Sequence, residues 1–75
     1  MKVKINNRMW RMSHREYQGL LKIAREQVPL GIYAIEKKGY AELRCDKCES
    51  ITKVKELARE FKKQGFKVYT NGKDQ

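Results

Sequence analysis

With 75 residues the chain has room for one domain, and at 40% hydrophobic residues it is too apolar for a typical disordered protein. No apolar run approaches the roughly 20 residues that span a bilayer, so we expect a cytoplasmic protein with no membrane partner. The formal net charge of +9, from 18 basic and 9 acidic residues, favours an acidic partner. The plainer alternative is a charged surface that keeps the protein soluble.

The first fifteen residues combine a predicted strand with basic side chains. Residues 1–5 alternate lysine with apolar residues, which is the period-two pattern of a half-buried strand. Residues 6–8 are expected to lead out of that strand. Residues 9–12 show no clear periodicity, and there Trp10 is expected to cover the core, although an exposed Trp10 between Arg8 and Arg11 would suit base stacking.

A first helix is predicted from Ser13 to about Gln27. Ser13 and Glu16 form an S-x-x-E capping box, and Pro29 disfavours a helical conformation at Val28. The expected buried stripe recurs at helical spacing and comprises Tyr17, Leu20, Leu21, Ala24 and Val28.

A β-hairpin is predicted over Gly31 to Cys45, with its turn at Glu36-Lys37-Lys38-Gly39. We favour a three-residue connection with a left-handed Gly39, which sets Glu36 opposite Tyr40. Tyr33, Ile35, Ala41, Leu43 and Cys45 would then share one face. A two-residue turn would change the partners of residues 32–35 and move Tyr33 and Ile35 to the other face.

A second helix and a last strand follow. Ser50 is the expected cap, Gly65 the expected left-handed residue that ends the helix, and Phe66 the residue that then meets Phe61. Residues 66–70 alternate again and form the last strand. We therefore predict one domain over residues 1–70 and a frayed tail over residues 71–75.

The order β-α-β-β-α-β predicts a ferredoxin-like α+β plait, a four-stranded antiparallel sheet of strand order 4-1-3-2 with two helices on one face. The terminal strands are neighbours in that order. Residues 1–15 carry five bases and no acid, and residues 51–75 carry seven bases and three acids. The plait therefore predicts one basic patch on the open face of the sheet, in which Lys2, Lys4 and Lys67 accompany Tyr40 and Tyr69.

At this point the sequence resembles the RNA-recognition motif, which has this topology. Lys38-Gly39-Tyr40-Ala41 matches the start of the third-strand pattern of that family, and residues 3–7 loosely echo its first-strand motif. The resemblance implies RNA binding by stacking on exposed aromatic rings. The chain departs from the family where Lys4 and Glu42 replace two of those rings, which implies sequence-tolerant, salt-dependent binding.

Cys45 and Cys48 form a lone C-x-x-C between the hairpin and the second helix. Three interpretations stay open: two reduced thiols, a redox pair, and half of a zinc site completed by a second chain. Zinc needs four ligands, and this chain offers only these two cysteines and, at most, His14.

These features predict a small binding protein and not an enzyme, because no phosphate-cradling glycine loop or paired-carboxylate motif stands out. The first hypothesis is nucleic-acid binding, single-stranded or loosely specific, through Lys2, Lys4, Arg8, Arg11, Tyr40, Lys67 and Tyr69, with no cofactor. The second is a protein-interaction module, a regulator or inhibitor that docks on an acidic protein surface. The third is a zinc-bridged dimer through Cys45 and Cys48, and the protein is otherwise a monomer or homodimer.

Overall fold

The computed structural model describes residues 1–72, which form two helices and one mixed sheet of five strands. In chain order the elements are β1 (Lys2–Ile5), β2 (Arg8–Arg11), α1 (His14–Gln27), β3 (Gly31–Lys37), β4 (Tyr40–Lys47), α2 (Ile51–Lys63) and β5 (Lys67–Asn71). The strand order is β2-β1-β4-β3-β5, and every neighbouring pair is antiparallel except β1 and β4. Neither helix is long and apolar enough to cross a membrane.

The α+β class with two helices is confirmed, but the four-stranded antiparallel sheet is wrong. Residues 8–11 form a fifth strand, β2, which folds back on β1. The two residues between them, Asn6 and Asn7, have φ values of 50° and 67°. Asparagine tolerates this left-handed conformation, and two such residues in succession form the tight turn that suits a two-residue hairpin.

The predicted strand order 4-1-3-2 is also wrong, because β5 pairs with β3 and not with β1. One edge of β1 is occupied by β4 and the other by β2, so β5 has no edge of β1 left to join. The first and last strands of the chain therefore lie on opposite sides of the sheet centre. The two basic ends of the sequence do not form a single patch.

The two helices pack on opposite faces of the sheet, and not on one face as predicted. Tyr17 and Leu21 of α1 pack against Val3, Ala34 and Ala41. On the other side, Ala58 of α2 packs against Ile32 and Ile35. We call these two sides the α1 face and the α2 face. Because Ala34 and Ile35 are adjacent, their side chains project to opposite faces, and β3 is buried on both.

The β3–β4 hairpin is confirmed, but its register differs from the favoured one. The turn contains only Lys38 and Gly39, so Lys37 pairs with Tyr40 and Glu36 pairs with Ala41. Both connections place Gly39 in the left-handed region, here with φ of 71°, so the glycine alone does not distinguish them. The pairing shifts between Ile32 and Ala34, and Tyr33 joins the α1-face cluster, whereas Ile35 does not.

The predicted helix ends are confirmed. Ser13 Oγ accepts a hydrogen bond from the Glu16 N–H (3.2 Å), and Glu16 Oε1 accepts one from the Ser13 N–H (3.0 Å), which completes the capping box. The hydrogen bond from the Ser13 backbone lowers the pKa of Glu16. Ser50 caps α2, and the rings of Phe61 and Phe66 meet edge to face at 6.0 Å after it ends.

Asn71, which the sequence assigned to a frayed tail, is the last residue of β5. Its side-chain amide donates hydrogen bonds to the carbonyl oxygens of Arg25 (2.9 Å) and Val28 (3.1 Å). This side chain therefore ties the end of the sheet to the end of α1. Residues 73–75 of the predicted tail lie outside the described residues.

We expect Gly31→Ala to lower the free energy of unfolding by at least about 2 kcal/mol. Gly31 has φ of +152°, and an added Cβ would lie 1.9 Å from the backbone oxygen of Asp46. The matched control is Gly19→Ala on the exposed side of α1, where an added Cβ would meet nothing within 4 Å. This substitution should stabilise the helix by up to about 1 kcal/mol. Urea denaturation of both variants measures the difference. Equal midpoints would contradict this packing at Gly31.

We expect the stability of the protein to fall above about pH 10 because of Tyr17. The side chain is 1% exposed, and its hydroxyl donates to Glu36 Oε2 at 2.6 Å. Burial, followed by the hydrogen bond to Glu36, raises the pKa of Tyr17 far above its ordinary value. The folded state therefore keeps the phenol proton that the unfolded chain loses. This contribution is complete below about pH 10, the unfolded pKa, and declines as the pH rises beyond it.

Tyr17→Phe provides the comparison for that pH dependence. We expect it to cost about 1.5–3 kcal/mol at pH 7, because one hydrogen bond to a carboxylate is lost. We also expect the variant to lose less stability than the original chain between pH 9 and pH 11. Urea denaturation at both pH values tests this, and parallel declines would show that Tyr17 is not responsible.

Candidate nucleic-acid interface

The two helices do not cover every strand of the sheet. Helix α2 packs on β3 and β5, so the α2 face of β1, β2 and the adjoining part of β4 is not beneath it. Register places Arg11, Lys2 and Tyr40 side by side in one row across β2, β1 and β4. The next row contains Met9, Lys4 and Glu42. We call the group Lys2, Lys4, Arg11 and Tyr40 the basic face.

Tyr40 is held in place by a chain of contacts along β4. Its hydroxyl donates to Glu42 Oε1 at 3.0 Å, and its ring lies 6.4 Å from that of Phe66. Burial, followed by the hydrogen bond to Glu42, raises the pKa of Tyr40 above its ordinary value. A fixed, neutral, half-exposed ring beside lysine is suited to stacking on a nucleic-acid base.

Arg44 reduces the repulsion that the nearby carboxylates would exert on phosphate. Its guanidinium donates to Glu42 Oε2 at 2.9 Å and also to Asp46, and it lies 4.9 Å from the ring centroid of Phe61. The hydrogen bond to Asp46 is the main cause that raises the pKa of Arg44. The carboxylate of Glu42 is thus shared between Tyr40 and Arg44. The cationic groups of the basic face therefore outweigh the neighbouring acids.

Three predicted site residues lie elsewhere, which corrects the expected grouping. Arg8 is on the α1 face of β2, with its guanidinium 5.1 Å from the ring centroid of Trp10. Lys67 and Tyr69 are in β5 on the far side of the sheet, and the Tyr69 ring lies 5.9 Å from that of Tyr33. None of these three residues belongs to the basic face, and their part in binding stays a prediction.

Two features of this part of the sheet were not predicted from the sequence. Trp10, expected to cover the core, is 46% exposed, and Met9 is 52% exposed, because both belong to the edge strand β2. Arg44 was not identified as the partner of Glu42 and Asp46. The signal for that network is the spacing of two between Glu42, Arg44 and Asp46, which places all three on one face of a strand.

The cysteines are separate from the basic face. Cys45 is exposed and Cys48 is partly buried, with its thiol 3.7 Å from the carbonyl oxygen of Asp46. Within residues 1–72, no group of three or more His, Cys, Asp or Glu side chains is arranged to hold a metal ion. His14 lines a different cavity from Cys48. A zinc site shared between two chains stays a prediction.

The chain matches no family model, and no curated protein or solved structure compared with it matches either. The predicted plait is not confirmed, since the sheet is mixed and has a helix on each face. Lys38 and Gly39, two of the four residues that match the start of the third-strand pattern of the RNA-recognition motif, form a turn instead of a strand. The basic face is therefore the feature of the molecule that points to a function.

We expect Arg44→Met to lower the free energy of unfolding by about 1–2 kcal/mol, because two carboxylates lose their partner at a site only partly screened by water. Arg59→Met is the control, since Arg59 is exposed on α2, and it should change stability by less than about 0.5 kcal/mol. Urea denaturation at pH 7 measures both. Equal effects of the two variants would show that Arg44 does not organise the surface of β4.

Proposed function

We propose that this chain is a small binding protein, not an enzyme, that holds single-stranded or loosely specific nucleic acid on the basic face. The observation that carries the proposal is the row Arg11, Lys2 and Tyr40 on neighbouring strands, with Lys4 one step along β1. Lys2, Lys4 and Arg11 neutralise phosphates, and Tyr40 stacks on a base. A cytoplasmic location belongs to the same proposal, because reduced cysteines are the rule there.

The dimensions of the basic face suit a short stretch of nucleic acid. Neighbouring strands are about 4.8 Å apart, so the row across three strands spans about 10 Å. That is the length of about three stacked nucleotides at about 3.4 Å each. Three phosphate contacts and one stacked ring, the ring contributing about 1–3 kcal/mol, make binding modest in affinity and sensitive to salt. These four contacts do not distinguish one base from another, so the binding is tolerant of sequence.

A second candidate function is docking on an acidic protein, and the exposed edge strand favours it. All four residues of β2 are exposed, and two of them, Met9 and Trp10, are large and apolar. Exposed aromatic and arginine side chains are common anchors of protein interfaces, and an edge strand offers unpaired backbone groups to a partner. Nuclease treatment distinguishes the two candidates, because a complex with an acidic protein survives it and a complex held together by nucleic acid does not.

We expect the triple variant Lys2→Gln, Lys4→Gln, Arg11→Gln to bind a labelled single strand far more weakly at low salt. Removing three phosphate contacts should also make the slope of log affinity against log salt about 2 smaller in magnitude, at about 0.7 per contact. Fluorescence anisotropy at several salt concentrations measures both quantities. Circular dichroism checks that the variant is folded.

The control for the triple variant removes the same charge from elsewhere. Lys22→Gln, Lys55→Gln, Arg59→Gln changes three exposed residues on the helices and leaves the basic face intact. We expect it to keep most of the salt slope. Equal losses in the two triple variants would mean that net charge alone attracts the strand. If the original chain binds no nucleic-acid strand but forms protein complexes that persist after nuclease treatment, the second candidate is favoured.

A further inference from the structure

We propose that the cavity at the turn end of the β3–β4 hairpin binds a phosphate monoester, namely the terminal phosphate of a strand that lies on the basic face. This inference rests on the proposed function. The cavity has a volume of about 610 Å³. The lining residues that carry the argument are Lys37, Lys38, Lys67, Glu36, Tyr40 and Gly39.

The charge of the cavity is strongly positive. Three lysines and one carboxylate, that of Glu36, line it, and Glu36 already accepts a hydrogen bond from the Tyr17 hydroxyl at 2.6 Å. The Lys67 ammonium group lies 5.1 Å from the ring centroid of Tyr69, which carries no charge to neutralise it. Lys37 Nζ donates to the Gln64 carbonyl oxygen at 2.9 Å, which holds its ammonium group at the rim. Concave walls of one charge sign raise the local concentration of an oppositely charged ligand. The site therefore favours an anion of high charge.

The backbone leaves room for the ligand at the turn. Gly39 has φ of +71°, and an added Cβ there would meet nothing within 4 Å, so the space in front of it is open. Gly65, with φ of +91°, lines the same cavity from the end of α2. Without a side chain at Gly39, a phosphate can approach the backbone of the turn as well as the lysines. The Gly65 N–H already donates to the Lys62 carbonyl oxygen at 3.0 Å, so Gly65 contributes open space and not a donor.

The cavity adjoins the basic face, and this favours the end of a nucleic-acid strand as the ligand over an internal phosphate. Tyr40 lines the cavity and also pairs with Lys2 in the row that crosses the basic face. A nucleic-acid strand with a base stacked on Tyr40 thus reaches the cavity at the border of the sheet. A terminal phosphate carries a charge of about −1.5 to −2, more than an internal phosphodiester, and so gains more from three lysines.

The first test uses inorganic phosphate as the probe. NMR titration of the ¹⁵N-labelled chain at constant ionic strength should shift the amide signals of Gly39 and Gly65 in a saturable way, with chloride as the reference salt. Lys38→Ala, Lys67→Ala should weaken phosphate binding at least tenfold. Lys22→Ala, Lys55→Ala is the charge-matched control and should bind as the original chain does. Unmoved glycine signals, or equal binding by the two double variants, would overturn the proposal.

The second test separates the strand end from a free phosphate compound. A short oligonucleotide with a 5′- or 3′-phosphate should bind at least threefold tighter than its hydroxyl-ended form, and Lys38→Ala, Lys67→Ala should abolish this difference. Equal binding of all three oligonucleotides would overturn end recognition and leave the proposed function standing. If no oligonucleotide binds while inorganic phosphate does, both the proposed function and end recognition fail, and a small phosphomonoester is the ligand.

Discussion

The arrangement of the sheet depends on one constraint, that a strand has only two edges for pairing. The tight turn at Asn6 and Asn7 returns the chain along β1, so β2 takes one edge and β4 takes the other. The remaining strand, β5, pairs with the open edge of β3. From this follows the separation of the two basic ends of the chain. A two-residue turn thereby decides which charges become neighbours.

The two-sided core follows from the composition of β3. Ile32, Ala34 and Ile35 are each at most 1% exposed, although Ala34 and Ile35 point in opposite directions. A strand buried on both faces reads as a nearly continuous apolar run and lacks the alternation of a half-exposed strand. The small side chain of Ala34 leaves room on the α1 face for Tyr17, whose large ring fills the space under α1. Helices on both faces are the arrangement that covers such a strand.

Local signals in the sequence predicted the elements well and their arrangement poorly. The capping box at Ser13, the cap at Ser50 and the Phe61–Phe66 contact depend on residues near one another in the chain, and all were predicted. The predicted hairpin register was wrong because Gly39 fits both the two-residue and the three-residue turn. The prediction of strand order was wrong because the order depends on which strand edges are free to pair. The strand that occupies the edge of β1 is β2, whose four residues are too few to show periodicity in the sequence.

The basic face shows how a charge count along the chain differs from a charge pattern in space. Arg8 and Arg11 are three residues apart in one strand, an odd spacing that sends their side chains to opposite faces. Only Arg11 therefore joins the lysines of β1, whereas Arg8 stacks on Trp10. Arg44 is cationic and adjoins the same face, yet its donors are directed to Glu42 and Asp46. Arg44 therefore pairs with the two carboxylates beside the basic face, and the excess positive charge of this surface depends on an arginine whose own donors are already occupied.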